Sequence, residues 1–194
     1  MRNLIMTLAV LAACGGPSGK DVAMAKQARY QGDKLELFAN MKQTVESKYK
    51  LDVSDETQLA VKTTARWYTP EGLVSNWTPS DVGTQGHKLP DRSLNITLVA
   101  QVLPSEGNWV VHIEPVILRF NANQPKLEPV RLDDPSLPGF VKGKSDELAF
   151  DVNKKLKQWE VKSPGGNIAP PPADPALPPP GTAPAPEAGS AAPQ

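Results

Sequence analysis

Three stretches of the chain alternate apolar and polar residues with the two-residue period of a strand, and two others repeat apolar residues at steps of three and four. In Gln58 to Tyr68, Leu59, Val61, Thr63, Ala65 and Trp67 fall on one face, with Gln58, Lys62, Thr64 and Arg66 on the other. Ser93 to Leu103 places Leu94, Ile96, Leu98, Ala100 and Val102 inward. Pro104-Ser105-Glu106-Gly107 predicts a turn, after which Asn108 to Phe120 returns as a strand with Trp109, Val111 and Ile113 on one face. Beyond Pro115 the apolar phase moves to Val116, Leu118 and Phe120. Proline cannot donate to a ladder, so Glu114-Pro115 predicts a bulge or edge irregularity.

The helical period begins at Asp33, with Glu36 three residues on as in a capping box. Leu35, Phe38, Met41, Val45 and Tyr49 form its apolar face. A second helix is expected from Ser145 as cap, with Asp146 and Glu147 in its first turn and Leu148, Val152, Leu156 and Trp159 as its stripe. Lys154, Lys155 and Lys157 sit near its end, where the helix dipole favours cations. Met24 to Tyr30 reads as an edge strand. The elements make an α+β fold, an antiparallel sheet of about 4–5 strands with two amphipathic helices on one face. Two connections are long, Thr69 to Arg92 and Asn121 to Lys144, and loops of such length in a small domain are often functional.

The chain ends have a different composition. Of 21 prolines, eleven lie in residues 163–194, which carry only Asp174 and Glu187 as charges. Such a Pro/Ala-rich segment favours extended polyproline II and is expected to be disordered. At the other end Met1-Arg2-Asn3 precedes the apolar run Leu4 to Ala13. As a helix that run would span about 15 Å, half a bilayer core, too short for a stable anchor. A basic start, a short apolar run and small residues are the anatomy of an export signal.

Leu11-Ala12-Ala13-Cys14, followed by Gly15-Gly16, resembles the lipobox of bacterial lipoproteins. The resemblance covers the first sixteen or so residues. It implies cleavage before Cys14 and a diacylglyceryl group on its sulfur, which accounts for the single cysteine. The lipid bilayer is then a partner through acylated Cys14. Gly15 stands where Asp would signal inner-membrane retention in many species, so the resemblance implies an outer-membrane protein facing the periplasm. The expected organisation is a signal peptide over 1–13, a lipidated flexible tether over 14–23, one globular domain over 24–162 and the tail over 163–194. The element order also resembles small α+β envelope lipoprotein domains, such as the repeated domains of lipoprotein component C of the outer-membrane barrel assembly machinery. That likeness is one of pattern, and fold analogy carries no function.

Charge and motifs narrow the chemistry. Lys and Arg number 21, as do Asp and Glu, and no basic cluster points to nucleic acid. His87 and His112 are the only histidines. No zinc-spaced set, nucleotide loop or nucleophile elbow occurs, so no metal, cofactor or catalytic residue is expected. Asp52, Asp55 and Glu56, and Asp133-Asp134, read as turns. The first long connection carries Trp77 and His87, with Trp67-Tyr68 at its entry. These four residues are candidate anchors for an envelope protein or cell-wall partner; alternatively, Trp67 and Trp77 close the end of a small core. The leading expectation is a non-enzymatic binding or scaffolding module. The alternatives are a carrier holding a lipid or amphipathic ligand between helices and sheet, and a hydrolase whose site only the fold assembles.

Overall fold

A computed structural model describes residues 16–77, 89–123 and 126–161 of the chain. Cys14 with the apolar run before it, His87, and the tail over 163–194 lie outside the described residues. Helix α1 spans Gly19–Gln27, α2 Lys34–Glu46 and α3 Gly139–Leu156, the last continuing into a 3-10 turn, Lys157–Trp159. The strands are β1 Leu51–Asp55, β2 Ala60–Thr63, β3 Arg66–Tyr68, β4 Val74–Ser75, β5 Leu94–Ser105, β6 Asn108–Asn121 and β7 Lys126–Val130. The fold is α+β, with an antiparallel sheet and helices on one face.

Helix α2 starts as its sequence predicts. The Asp33 carboxylate accepts from the amides of Leu35 and Glu36, satisfying two donors that have no partner inside the helix. Its buried stripe is Leu37, Phe38, Met41 and Val45. Leu35 is 51% exposed, contrary to the expected face. It lies about 200° around the helix from Leu37, so the two cannot share one side.

The expected edge strand over Met24 to Tyr30 is instead α1 and an extended segment after it. Ser18 caps α1, its hydroxyl accepting from the Asp21 amide, and Val22 and Ala25 are its buried residues. Residues 19–23, expected to belong to a flexible tether, are instead helical. Tyr30 makes antiparallel bridges to Trp109 on one side and Glu160 on the other. One end of the sheet thus continues past β6 through chain segments too short to read as strands.

Strands β5 and β6 form the long central hairpin, paired from Leu94↔Arg119 to Ser105↔Asn108 without a break. Glu106 (φ 49°) and Gly107 (φ 77°) make its two-residue turn, the twist that suits a hairpin. All five predicted inward residues of β5 are buried. The expected irregularity at Glu114-Pro115 is absent, because the register runs through it. Leu98, opposite Pro115, sends its amide to the β2 side, to Thr63 Oγ1 at 2.9 Å. Pro115 therefore points its nitrogen away from β5, beyond the end of β7, which pairs only from Ile117 to Asn121. A proline is tolerated at such an unpaired edge. The phase consequently does not shift at Pro115: Pro115 and Ile117 are buried and Val116 is 49% exposed, and of the three residues expected beyond it only Phe120, near the strand's end, is buried.

The predicted strand over Gln58 to Tyr68 is two strands laid end to end along one edge of β5. β2 pairs Lys62↔Val99 and β3 pairs Arg66↔Ile96, a slip of one residue between them. A one-residue slip moves every later side chain to the other face. Leu59, Val61 and Thr63 are inward as expected, but Tyr68 is then buried and Trp67 turns outward. β1, which the alternation missed, pairs with β2 across a bulge between Leu51 and Val53. Asp52 lies in that strand, whereas Asp55 does make a turn, accepting from the amides of Thr57 and Gln58.

Helix α3 begins at Gly139, six residues before the expected cap. Ser145 is buried inside it, its hydroxyl donating to the Lys142 carbonyl. The connection from Asn121 to Lys144 is therefore not a loop, since it holds β7 and the first turns of α3. The core lies between β5 and the two longer helices. Leu37, Met41 and Val45 of α2 meet Val141, Leu148, Val152 and Leu156 of α3 there.

Candidate functional site

Of the four residues singled out by sequence, His87 lies outside the described residues, and Tyr68 does not share a face with Trp67. The slip between β2 and β3 sends Tyr68 to the helix side of the sheet, where it is buried. Lys144 Nζ lies 4.4 Å from its ring centroid, and the Phe140 ring tilts against it at 5.8 Å. Tyr68 is thus a core residue facing the start of α3, held partly by cation–π attraction. Trp67 takes the opposite face of β3, opposite Ser75 of β4. Ser75 Oγ in turn accepts from the Trp77 amide at 3.1 Å. Trp67 and Trp77 thereby belong to one small hairpin.

The β3–β4 connection is a tight knuckle. The Thr69 amide donates to the Leu73 carbonyl at 2.8 Å, and the Gly72 amide to Thr69 at 2.9 Å. Gly72 has φ 89° and presses on Phe140, so a Cβ there would come within 2.9 Å of the ring. Both the backbone angle and the close approach require glycine. The knuckle is therefore braced by the start of α3. Leu73 at 68% exposure, Val74 at 59% and Trp77 at 38% lie open to solvent along this hairpin. Scattered exposed apolar residues need no explanation, but three within five positions of a braced hairpin make it a candidate contact surface. Sequence reasoning found Trp77 and missed Leu73 and Val74. The signal was their place beside Gly72, in a stretch with no period.

A polar network joins the helices near their facing ends. Lys48, just past α2, forms ion pairs with Asp151 and with Glu147, the latter at 2.6 Å. Burial works against the Lys48 ammonium, but the Asp151 and Glu147 carboxylates outweigh it and hold the group charged above its ordinary range. Glu147 and Asp151 sit one turn apart on α3, a spacing visible in the sequence, although their partner across the fold was not. Tyr49 beside them is pushed up by burial and by its neighbours Tyr68 and Glu147, and the Arg66 guanidinium lies 5.8 Å from its ring centroid.

Two grooves border α2. One, of about 590 Å³, runs between the helix and the β1–β2 turn and is lined by Leu35, Phe38, Lys42, Glu46 and Glu56 among others. The other, of about 460 Å³, lies toward α3 and carries Lys154 and Lys155. Both open to solvent. His112 lies on the sheet face away from the helices, 3.7 Å from Glu114, with both side chains exposed. Among the described residues no group of three or more His, Cys, Asp or Glu is placed to hold a metal ion. Among them no helix is long and apolar enough to cross a membrane. The sequence matches no known family model and no curated protein.

Proposed function

We propose that the chain is a membrane-anchored envelope lipoprotein whose domain is a non-enzymatic binding or scaffolding module. The observation that carries the binding role is the exposed knuckle Leu73-Val74 with Trp77, fixed against α3 rather than free to collapse onto the core. Apolar anchors held rigidly on a turn lose little freedom on binding, so more of their burial goes into affinity. The anchor rests on the lipobox Leu11-Ala12-Ala13-Cys14. The space between helices and sheet, where a carrier would hold its ligand, is filled by Leu37, Met41, Leu94, Leu148 and Leu156. The partner expected at the knuckle is an envelope protein or a cell-wall glycan with an apolar or stackable surface.

The test is photocrosslinking in intact cells from a probe at Leu73. A discrete adduct lost with Trp77→Ala supports the module. Unchanged capture in that variant, or turnover of cell-wall or lipid substrates by the pure protein, removes it. Intact mass of the membrane fraction tests the anchor: a mature chain without added acyl chains, or unchanged membrane partition of Cys14→Ser, ends that reading.

A further inference from the structure

We infer that the exposed face of α1, bearing Lys20, Ala23, Met24 and Gln27, lies against the headgroup layer of the bilayer that holds the lipid anchor. This rests on the lipoprotein reading of Cys14. The sequence-based tether of ten residues would leave the domain free of the surface. The structure shortens it, because Ser18 already caps α1 and Gly19 is helical. From Cys14 to Ser18 there are four residue steps, which reach at most about 14 Å when fully extended. The interfacial layer takes up about 5–7 Å of that. The start of α1 is therefore confined to within about one helix diameter of the headgroups.

Helix α1 cannot swing away independently. Val22 and Ala25 are buried, and Lys26 pairs with Asp146 of α3. Holding the start of α1 at the surface therefore fixes the side of α3 on which it packs toward that surface. The four residues named are all exposed, Met24 at 47%. Their spacing places them on one side of the helix. No carboxylate lies among them, and the Asp21 carboxylate is engaged with the Ser18 hydroxyl at 2.6 Å. A face with a cation, an alanine, a flexible apolar side chain and an amide suits an anionic headgroup surface, which attracts a nearby Lys.

The test uses the full acylated protein in vesicles of phosphatidylethanolamine and phosphatidylglycerol containing a nitroxide-headgroup lipid. Acylation of Cys14 leaves Met24→Cys as the single thiol for a fluorophore, and Val116→Cys, on the sheet face away from the helices, serves as the reference. Quenching severalfold stronger at position 24 than at 116 is expected. A ten-residue Gly/Ser insertion after Gly16 should bring the two closer, and more so at high salt. Equal quenching at the two sites in protein whose mass shows the acyl chains overturns this inference alone. A mass without acyl chains overturns the anchor and this inference with it.

Discussion

At the residue scale the sharpest constraint is Gly32. It joins the Tyr30 segment to α2 with φ 148°, and a Cβ built there would lie 2.8 Å from Trp159 Cδ1. The adjacent Gln31 amide donates to the Trp159 carbonyl at 2.8 Å, which holds the Trp159 backbone beside Gly32 and leaves only rotation of the ring to open space. Gly32→Ala is expected to destabilise the fold by about 1–3 kcal/mol, read from the urea midpoint. Trp159→Leu should relieve part of the penalty in the double variant, since the two sites share one contact. Tyr30 itself is 1% exposed, and burial, with the Glu160 charge adding and the Asn153 hydrogen bond opposing, pushes its hydroxyl up to about 12. A folded value above the unfolded one favours the protonated form. Its contribution is fully present below pH 10 and is lost as pH rises through 12. The loss amounts to about 2–3 kcal/mol. Tyr49 shifts in the same direction, so the measurement compares wild type with Tyr30→Phe. The variant should show a shallower fall over that window, and an identical slope would show that Tyr30 does not carry it.

At the scale of elements, the junction of β2 and β3 decides which aromatic faces which side. The buried Thr63 hydroxyl accepts from the Leu98 amide where a strand carbonyl would otherwise stand. Thr63→Val keeps the shape but leaves that amide unsatisfied, at a cost of about 1–3 kcal/mol. Thr63→Ser should recover much of it, and a Thr63→Val protein as stable as wild type would refute the role given to the hydroxyl. The same junction marks the limit of what was legible. The β5 face, the β5–β6 turn and the Asp33 cap follow from local rules of period, turn chemistry and capping, and they were readable. The slip after Thr63 was not, because alternation carries no signal for a missing ladder bond supplied by a side chain. Ser145 misled for the opposite reason. A serine before two acids looks like a cap, yet Val141 and Phe140 packing extends α3 past it. Of the candidate site, the aromatics could be named, but their division between the two sheet faces could not. Leu73 and Val74 gained meaning only from the brace that Gly72 and Phe140 make.

On the scale of the whole molecule, the C-terminal end of the described chain closes onto the segment after α1. The Val161 amide donates to the Arg29 carbonyl at 2.8 Å, and Tyr30 lies between Trp109 and Glu160. Asn153 of α3 ties the arrangement together, donating to the Tyr30 hydroxyl at 3.0 Å and to Glu160 at 2.8 Å. Residues only a few positions before the proline-rich segment are therefore structural, and those after it are expected to be dispensable. A chain ending at Lys162 should keep the wild-type midpoint. One ending at Lys157 loses the Trp159 side chain from its place on Gly32, the two backbone bonds to Arg29 and Gln31, and the Glu160 carboxylate. Removing a packed Trp and those bonds costs on the order of 4 kcal/mol, a large share of the roughly 5–15 kcal/mol that holds a domain together. Urea unfolding of the two truncations, with hydrogen exchange at Tyr30 and Gln31, separates the outcomes. Protection should persist in the longer chain and vanish in the shorter one before global unfolding. If the shorter chain keeps both its midpoint and its protection, then the β6 hairpin alone holds the Tyr30 segment, and its closure by the C-terminal end contributes nothing to stability.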